Sequence, residues 1–335
     1  MAQRFPDPVR YALRQYIKPV AQHPDPPRGS PRSEEPLTEN DDDLPAAVIR
    51  LAGCYNLPAE EVHEVPGGVA NRAFALGPQL FARVARNGYE ADLDKETMII
   101  PAARSVGVRT PAILEYDNTC TIVPAPYVVM ERVHGVEPAA APVEIATDLA
   151  RLHAIFQAPP DAPPLAGVPA DDWGSPGHTV QALAIDGHLD QATADWLSGW
   201  IVRLDSRFDR SAPKVLIHGD VAPHNLLVDP GTGALQALID WGDAAWTPRA
   251  QDFAKLRLSE VAAILPHYLA ATRQPLNADE LAAGILHFHL SWSLSKLTAR
   301  PWQGQRHWTA PPLSRFAGLL QFFTTNPPAP WSTLT

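Results

Sequence analysis

The chain has 335 residues, 45% of them hydrophobic and 19% charged, so it can bury a sizeable core and is not a wholly disordered polymer. Its 27 Lys+Arg against 37 Asp+Glu give a formal net charge of −10, which argues against a general nucleic-acid binder, because such a protein needs a basic face. Two cysteines, Cys54 and Cys120, offer neither a disulfide framework nor a zinc spacing, and no apolar run reaches the ~18 residues of a membrane span, so a cytoplasmic protein engaging no membrane is expected.

In chain order, Arg4 to Lys18 carries four cations and reads as a short surface helix. Residues 19 to 45 are rich in proline (Pro19, Pro24, Pro26, Pro27, Pro31, Pro36, Pro45) and hold the acidic run Asp41-Asp42-Asp43. They have too few large apolar side chains to offset their backbone entropy, so 1–43 is expected to be a disordered tail. Folding is expected from Leu44. Ala46 to Ala52 reads as helix. Val62 to Val65, Arg72 to Leu76 and Leu80 to Ala85 read as an antiparallel meander, with Pro66-Gly67-Gly68-Val69-Ala70-Asn71 at its first turn and Gly77-Pro78 at its second. Asp92 to Val106 is predicted helical, with Pro101 awkward inside it. Val108 to Leu114 and Ile122 to Arg132 supply further strands. Residues 44–133 thus read as a small α+β lobe.

Residues 134–335 read as a mainly helical lobe. Ile145 to Phe156 is amphipathic, Gln191 to Leu204 is a second helix, and Asn277 with Glu280 marks a helix start before Leu281, Leu286 and Leu290. The informative interruption is Val215 to Ala254. Val215-Leu216-Ile217 is a buried-type strand that runs into His218-Gly219-Asp220, and Asn225 lies five residues beyond Asp220. Leu226-Leu227-Val228, the turn Asp229-Pro230-Gly231-Thr232-Gly233 and Leu235 to Ile239 form a hairpin, and Asp240-Trp241-Gly242 follows. A hairpin brings its two ends together, so Asp220, Asn225 and Asp240 are expected to converge. Three such oxygen donors suit a hard cation such as Mg²⁺, with one carboxylate left to orient a hydroxyl.

The protein-kinase catalytic loop is H-R-D with an asparagine five positions beyond the aspartate, followed by D-F-G. With glycine in place of that arginine and tryptophan in place of that phenylalanine, His218-Gly219-Asp220, Asn225 and Asp240-Trp241-Gly242 resemble the aminoglycoside phosphotransferase-like family of small-molecule kinases. The resemblance covers roughly Leu44 to Leu320. It implies a bilobal protein kinase-like α+β fold, with a small antiparallel-sheet N-lobe and a mainly helical C-lobe. It implies an ATP- and Mg²⁺-dependent transfer of the γ-phosphoryl group to a hydroxyl of a small molecule. Asp220 would be the catalytic base, Asn225 and Asp240 the Mg²⁺ ligands, His218 a support of the loop, and Asp252 the buried acid that fastens it. On the nucleotide side, Gly67 and Gly68 resemble the glycine loop. Arg83, or else Arg86, stands where kinases carry a phosphate-pairing lysine, and Glu96 matches that cation's helix partner. Met130, Glu131 and Val133 resemble the strand into the adenine-reading hinge.

The acceptor does not follow from these motifs. The acids Asp171, Asp172, Asp186, Asp190 and Asp195 would draw a cationic acceptor such as an aminoglycoside-like antibiotic, or else are caps and solvated surface. Trp292, Trp302 and Trp308 would wall an acceptor pocket, or else anchor packing. A hydroxy amino acid or amino alcohol, as in homoserine or choline kinases, is the alternative acceptor. A catalytically silent binding protein would be marked by loss of Asp220, Asn225 or Asp240, and all three are present. A protein kinase is disfavoured by the missing arginine after His218 and the missing Ala-Pro-Glu segment.

Overall fold

A computed structural model describes residues 43–66, 68, 70–156, 165, 167–171, 174–209, 211–300 and 311–334. The expectations for the tail, for Gly67, for Asp172 and for Trp302 to Trp308 lie outside the described residues. Helix α1 (Leu44–Cys54) comes first. Its Leu44, Ala47, Val48 and Leu51 recur at helical spacing and are buried. They cover one side of a five-stranded antiparallel sheet in the order β1-β2-β3-β5-β4. The strands are β1 (Val62–Val65), β2 (Asn71–Leu76), β3 (Leu80–Ala85), β4 (Ile113–Asp117) and β5 (Tyr127–Glu131).

Helix α2 (Glu90–Ser105) lies between β3 and β4. It starts two residues before the predicted point and runs through Pro101. Buried Leu93, Ile99, Ile100 and Ala103 outweigh the one hydrogen bond that a proline removes. The fourth and fifth strands begin later than expected. Pro111, Pro124 and Pro126 have no N–H to offer a ladder, so pairing starts only at Ile113 and Tyr127.

The larger part is helical: α3 (Ile145–Leu152), α4 (Pro176–Ile185), α5 (Gln191–Asp205), α6 (Leu258–Ala271), α7 (Ala278–Ser295) and α8 (Pro312–Thr324). Helix α3 stops four residues short of the predicted Phe156, which instead bridges to Val215. Asn277 caps α7 by accepting from the Asp279 and Glu280 N–H groups. β6 (Val215–Ile217) pairs with β9 (Ala245–Thr247), a strand absent from the sequence reading, while β7 (Leu226–Val228) and β8 (Leu235–Leu238) form the expected hairpin. The fold is α+β, an antiparallel sheet in one half and mainly helices in the other.

Candidate active site

His218-Gly219-Asp220 leaves the buried strand β6 and hangs on one acid. Asp252, fully buried, accepts from the His218 N–H at 3.0 Å and the Gly219 N–H at 2.8 Å. His153 donates to it from Nε2 at 3.0 Å and accepts the Tyr268 hydroxyl at Nδ1 at 2.8 Å. Burial alone would raise the Asp252 pKa, but the His153 and backbone hydrogen bonds outweigh it and hold the carboxyl below its ordinary range. His218 ties the loop to the hairpin exit. Its Nε2–H donates to the Ile239 carbonyl at 3.0 Å, its Nδ1 accepts from the Asp220 N–H at 3.2 Å, and its ring stands edge-on to Trp241. Gly219 has φ +82°, and a Cβ there would run into the Asp243 carbonyl, so no larger residue fits between them.

This framework delivers Asp220, which is buried but not free of partners. Its Oδ2 accepts from Asn225 Nδ2 at 2.8 Å, its Oδ1 forms an ion pair with Lys255 Nζ at 3.0 Å, and His224 Nε2 lies 3.5 Å from Oδ2. Burial pushes the Asp220 pKa up, yet Lys255 and His224 together hold it well below the usual carboxylate range. Lys255 is itself buried and also binds Asp243 Oδ2 at 2.9 Å. Asn225 has its Nδ2 engaged with Asp220, which leaves its amide oxygen as the acceptor.

Asp240 follows β8 with φ +67°, a conformation aspartate tolerates better than most residues. Its side chain stays 47% exposed and accepts from Arg83 at 2.8 Å. The same guanidinium binds Glu96 Oε2 at 2.5 Å. Of the two candidate cations, Arg83 therefore faces Asp240, and Arg86 lies beyond the end of β3. Burial is the largest influence on Arg83 and opposes its charge, but Glu96 and Asp240 outweigh it and raise its pKa. Burial drives Glu96 up to about 7 even beside Arg83. Lys95 adds a bond to the Gly242 carbonyl, and Trp241 Nε1 donates to Thr110 Oγ1 at 2.9 Å.

All these elements border one cavity of about 800 Å³. Gly68, Arg83, Met130, Glu131 and Val133 line it from the sheet side, and Asp220, Asn225 and Asp240 from the helical side. The Glu131 and Arg132 N–H groups bond the Ala112 and Gln79 carbonyls. Glu96, His218 and Asp252 stand behind this lining.

Two residues escaped the sequence reading. Lys255 is a lone lysine three positions after Asp252, with no spacing to mark it. Asn71 is the first residue of β2; its buried amide has neither nitrogen nor oxygen paired, and it lines the cavity. The acids thought to draw a cation lie elsewhere. Asp190 caps α5, Asp195 accepts from Gln191, Asp171 accepts from Gln251, and Asp186 ends α4. None of these four lines the cavity.

Residues 61–283 match the profile of the phosphotransferase enzyme family. The chain belongs to that family. It is 28% identical over 193 residues, 53% of this chain and 69% of the relative, to an aminoglycoside 3'-phosphotransferase of Streptomyces fradiae. Its fold resembles the GDP complex of wild-type aminoglycoside 2'-phosphotransferase-IIIa, with TM-score 0.61 and 19% identity over 85% of this chain and 100% of that one. It also resembles an ADP-bound aminoglycoside phosphotransferase, APH(2'')-Ib, with TM-score 0.53 and 14% identity over 82% and 96% of the two chains. The fold is the bilobal, protein kinase-like one expected above, and the chain is a phosphotransferase.

Proposed function

We propose that this protein transfers the γ-phosphoryl group of a Mg²⁺-bound purine nucleotide, ATP or GTP, to a hydroxyl of a small molecule. The observation that carries this reading is the single cavity bordered by Asp220, Asn225 and Asp240 on one side and the Glu96-braced Arg83 on the other. The Asp240 carboxylate and the Asn225 amide oxygen are hard donors of the type Mg²⁺ takes with few protein ligands, so the donor set fits the ion. Bound there, the ion would neutralise charge on the nucleotide phosphates. Arg83 would pair with phosphate through its planar fork. The acceptor oxygen would bond the γ-phosphorus as the bond to the β–γ bridging oxygen breaks, and nucleoside diphosphate would leave. Asp220, held ionised, would orient the hydroxyl and take its proton late, passing it to solvent. Positioning and charge neutralisation carry such chemistry.

The names of the relatives put amino sugars among the acceptors to test. A hydroxy amino acid or amino alcohol is the second reading. Nucleotide consumption against a panel of acceptors, with Mg²⁺-nucleotide binding measured separately, tests the assignment. Asp220→Ala is expected to lower turnover about 100-fold or more while nucleotide binding persists. Asp240→Ala is expected to weaken the Mg²⁺-dependent part of nucleotide binding. Wild-type turnover in the first variant would remove Asp220 from the chemistry, and unchanged Mg²⁺ dependence in the second would remove Asp240 as a ligand.

A further inference from the structure

Asn71 is 3% exposed and lines the cavity, yet neither its Nδ2 nor its Oδ1 has a hydrogen-bond partner. An amide left in that state costs stability in the empty protein, and a ligand that satisfies it offsets the cost. The strand fixes where its side chain points. Phe74 and Leu76 of β2 pack into the core under α1, so Asn71 and Ala73 lie on the opposite face, the one they share with Phe81 and Arg83 of β3. Gly68, at φ +82°, closes over the same end of the strand: a Cβ there would come within 3.0 Å of the Asn71 carbonyl.

The cavity changes character along these strands. Phe81 stands opposite Ala75 and Met130, and with Leu227 and Ile239 it forms an apolar end that suits a base. Arg83 is one row on, opposite Ala73, where Asp240 meets it. Asn71, paired with Ala85, is one row further from the apolar end. Rows on one face of a strand are about 7 Å apart, so a nucleotide with its base at Phe81 would bring its inner phosphates to Arg83 and its last one towards Asn71. Arg83 already holds Glu96 and Asp240, and the carboxylates of the lining repel phosphate oxygens. An ionised phosphate only accepts, so it is the Nδ2 end of the amide that suits it, with Oδ1 left to water.

We propose that Asn71 is the contact for the terminal phosphoryl group: its Nδ2 donates to a γ-phosphate oxygen, and through it the site tells a nucleoside triphosphate from a diphosphate. This rests on the phosphotransfer reading above and adds a specificity-determining residue to it.

The test is calorimetric titration of the full chain, in Mg²⁺, with the β,γ-imido analogues of ATP and GTP and with ADP and GDP. The purine that the wild-type chain binds more tightly is then carried through the variants. Asn71→Ala is expected to raise Kd for the triphosphate analogue about tenfold or more, the loss of one hydrogen bond to a charged group, and to leave Kd for the diphosphate within about twofold. Asn71→Asp keeps the shape but replaces the donor with a charged oxygen, so it is expected to weaken the triphosphate analogue at least as much. The ratio of the two Kd values is the readout, because a residue that only shaped the loop would weaken both nucleotides together. Equal losses for triphosphate and diphosphate overturn the proposal, as does wild-type triphosphate affinity in either variant. A wild-type chain that binds none of the four nucleotides would instead sink the phosphotransfer reading, and the role of Asn71 with it.

Discussion

Lys255 sets the charge state of Asp220. A carboxylate as buried as Asp220 would on its own titrate above its usual range, and the ammonium at 3.0 Å reverses that. Because the folded pKa is depressed, the stability this pairing contributes is present above the ordinary aspartate value of about 3.9 and is lost as pH falls through the folded one. Activity should follow the same group. In the wild-type chain no acid limb from Asp220 is expected near neutrality. In Lys255→Met burial is opposed only by His224 and the Asn225 amide, and the acid limb of kcat/KM is expected to move up by about one pH unit or more. A pH–rate profile of the two proteins checks this, and superimposable limbs would show that Lys255 does not govern the base. Asn71 supplies a second residue-scale expectation. Its unpaired buried amide costs stability unless a ligand satisfies it, so Asn71→Ala should weaken nucleotide binding while leaving the apo melting temperature close to wild type or higher.

At the scale of elements, the hairpin and the loop before it carry the site, and this part was legible in the sequence. Asp229-Pro230-Gly231-Thr232-Gly233 between two short apolar runs is a local turn signal, and the Asp229 carboxylate accepts the Gly231 and Thr232 N–H groups as such a turn requires. Strand parity also separates Arg83 from Arg86. Arg83 pairs in register with Ala73 and shares the cavity face with Phe81, whereas Arg86 falls past the strand end. What could not be read is what long-range pairing decides. β9 is three residues long and bonds β6 across about thirty residues, so neither periodicity nor flanking turns announce it. Yet β9 follows the Asp243 turn, and the Asp243 carbonyl is what forces glycine at position 219. Gly219→Ala would add a Cβ both at positive φ and against that carbonyl. The expected result is a loss of about 2 kcal/mol or more, seen as a lowered melting temperature, with turnover falling further because Asp220 shifts with the loop. A variant with wild-type stability would mean that the two loops are not locked together.

On the scale of the whole molecule, the two halves meet through charge at the cavity. Arg83 from the sheet reaches Asp240 of the helical half while gripping Glu96 of α2, and Lys95 of the same helix bonds the Gly242 carbonyl. Elsewhere the halves are joined by Arg109, which binds buried Asp148 of α3 at 2.9 Å. The Arg83–Glu96 pair is the costly member of this set, because Glu96 is buried and titrates at about 7 even with its partner present. Removing Arg83 takes away the charge that lowers the Glu96 pKa, so in Arg83→Ala the carboxyl should titrate higher still. A group whose folded pKa is raised contributes stability that is present at low pH and lost as pH rises through the folded value. At pH 6 Glu96 is mostly protonated in both proteins, and the variant should melt close to wild type. At pH 8 the wild-type chain holds a paired carboxylate while the variant must bury an unpaired one or keep it protonated against the solvent. The gap in melting temperature between Arg83→Ala and wild type is therefore expected to widen from pH 6 to pH 8, and Arg83→Ala/Glu96→Gln should close it. A gap that does not change with pH, or that the second substitution leaves open, would show that the junction between the halves does not depend on this pair.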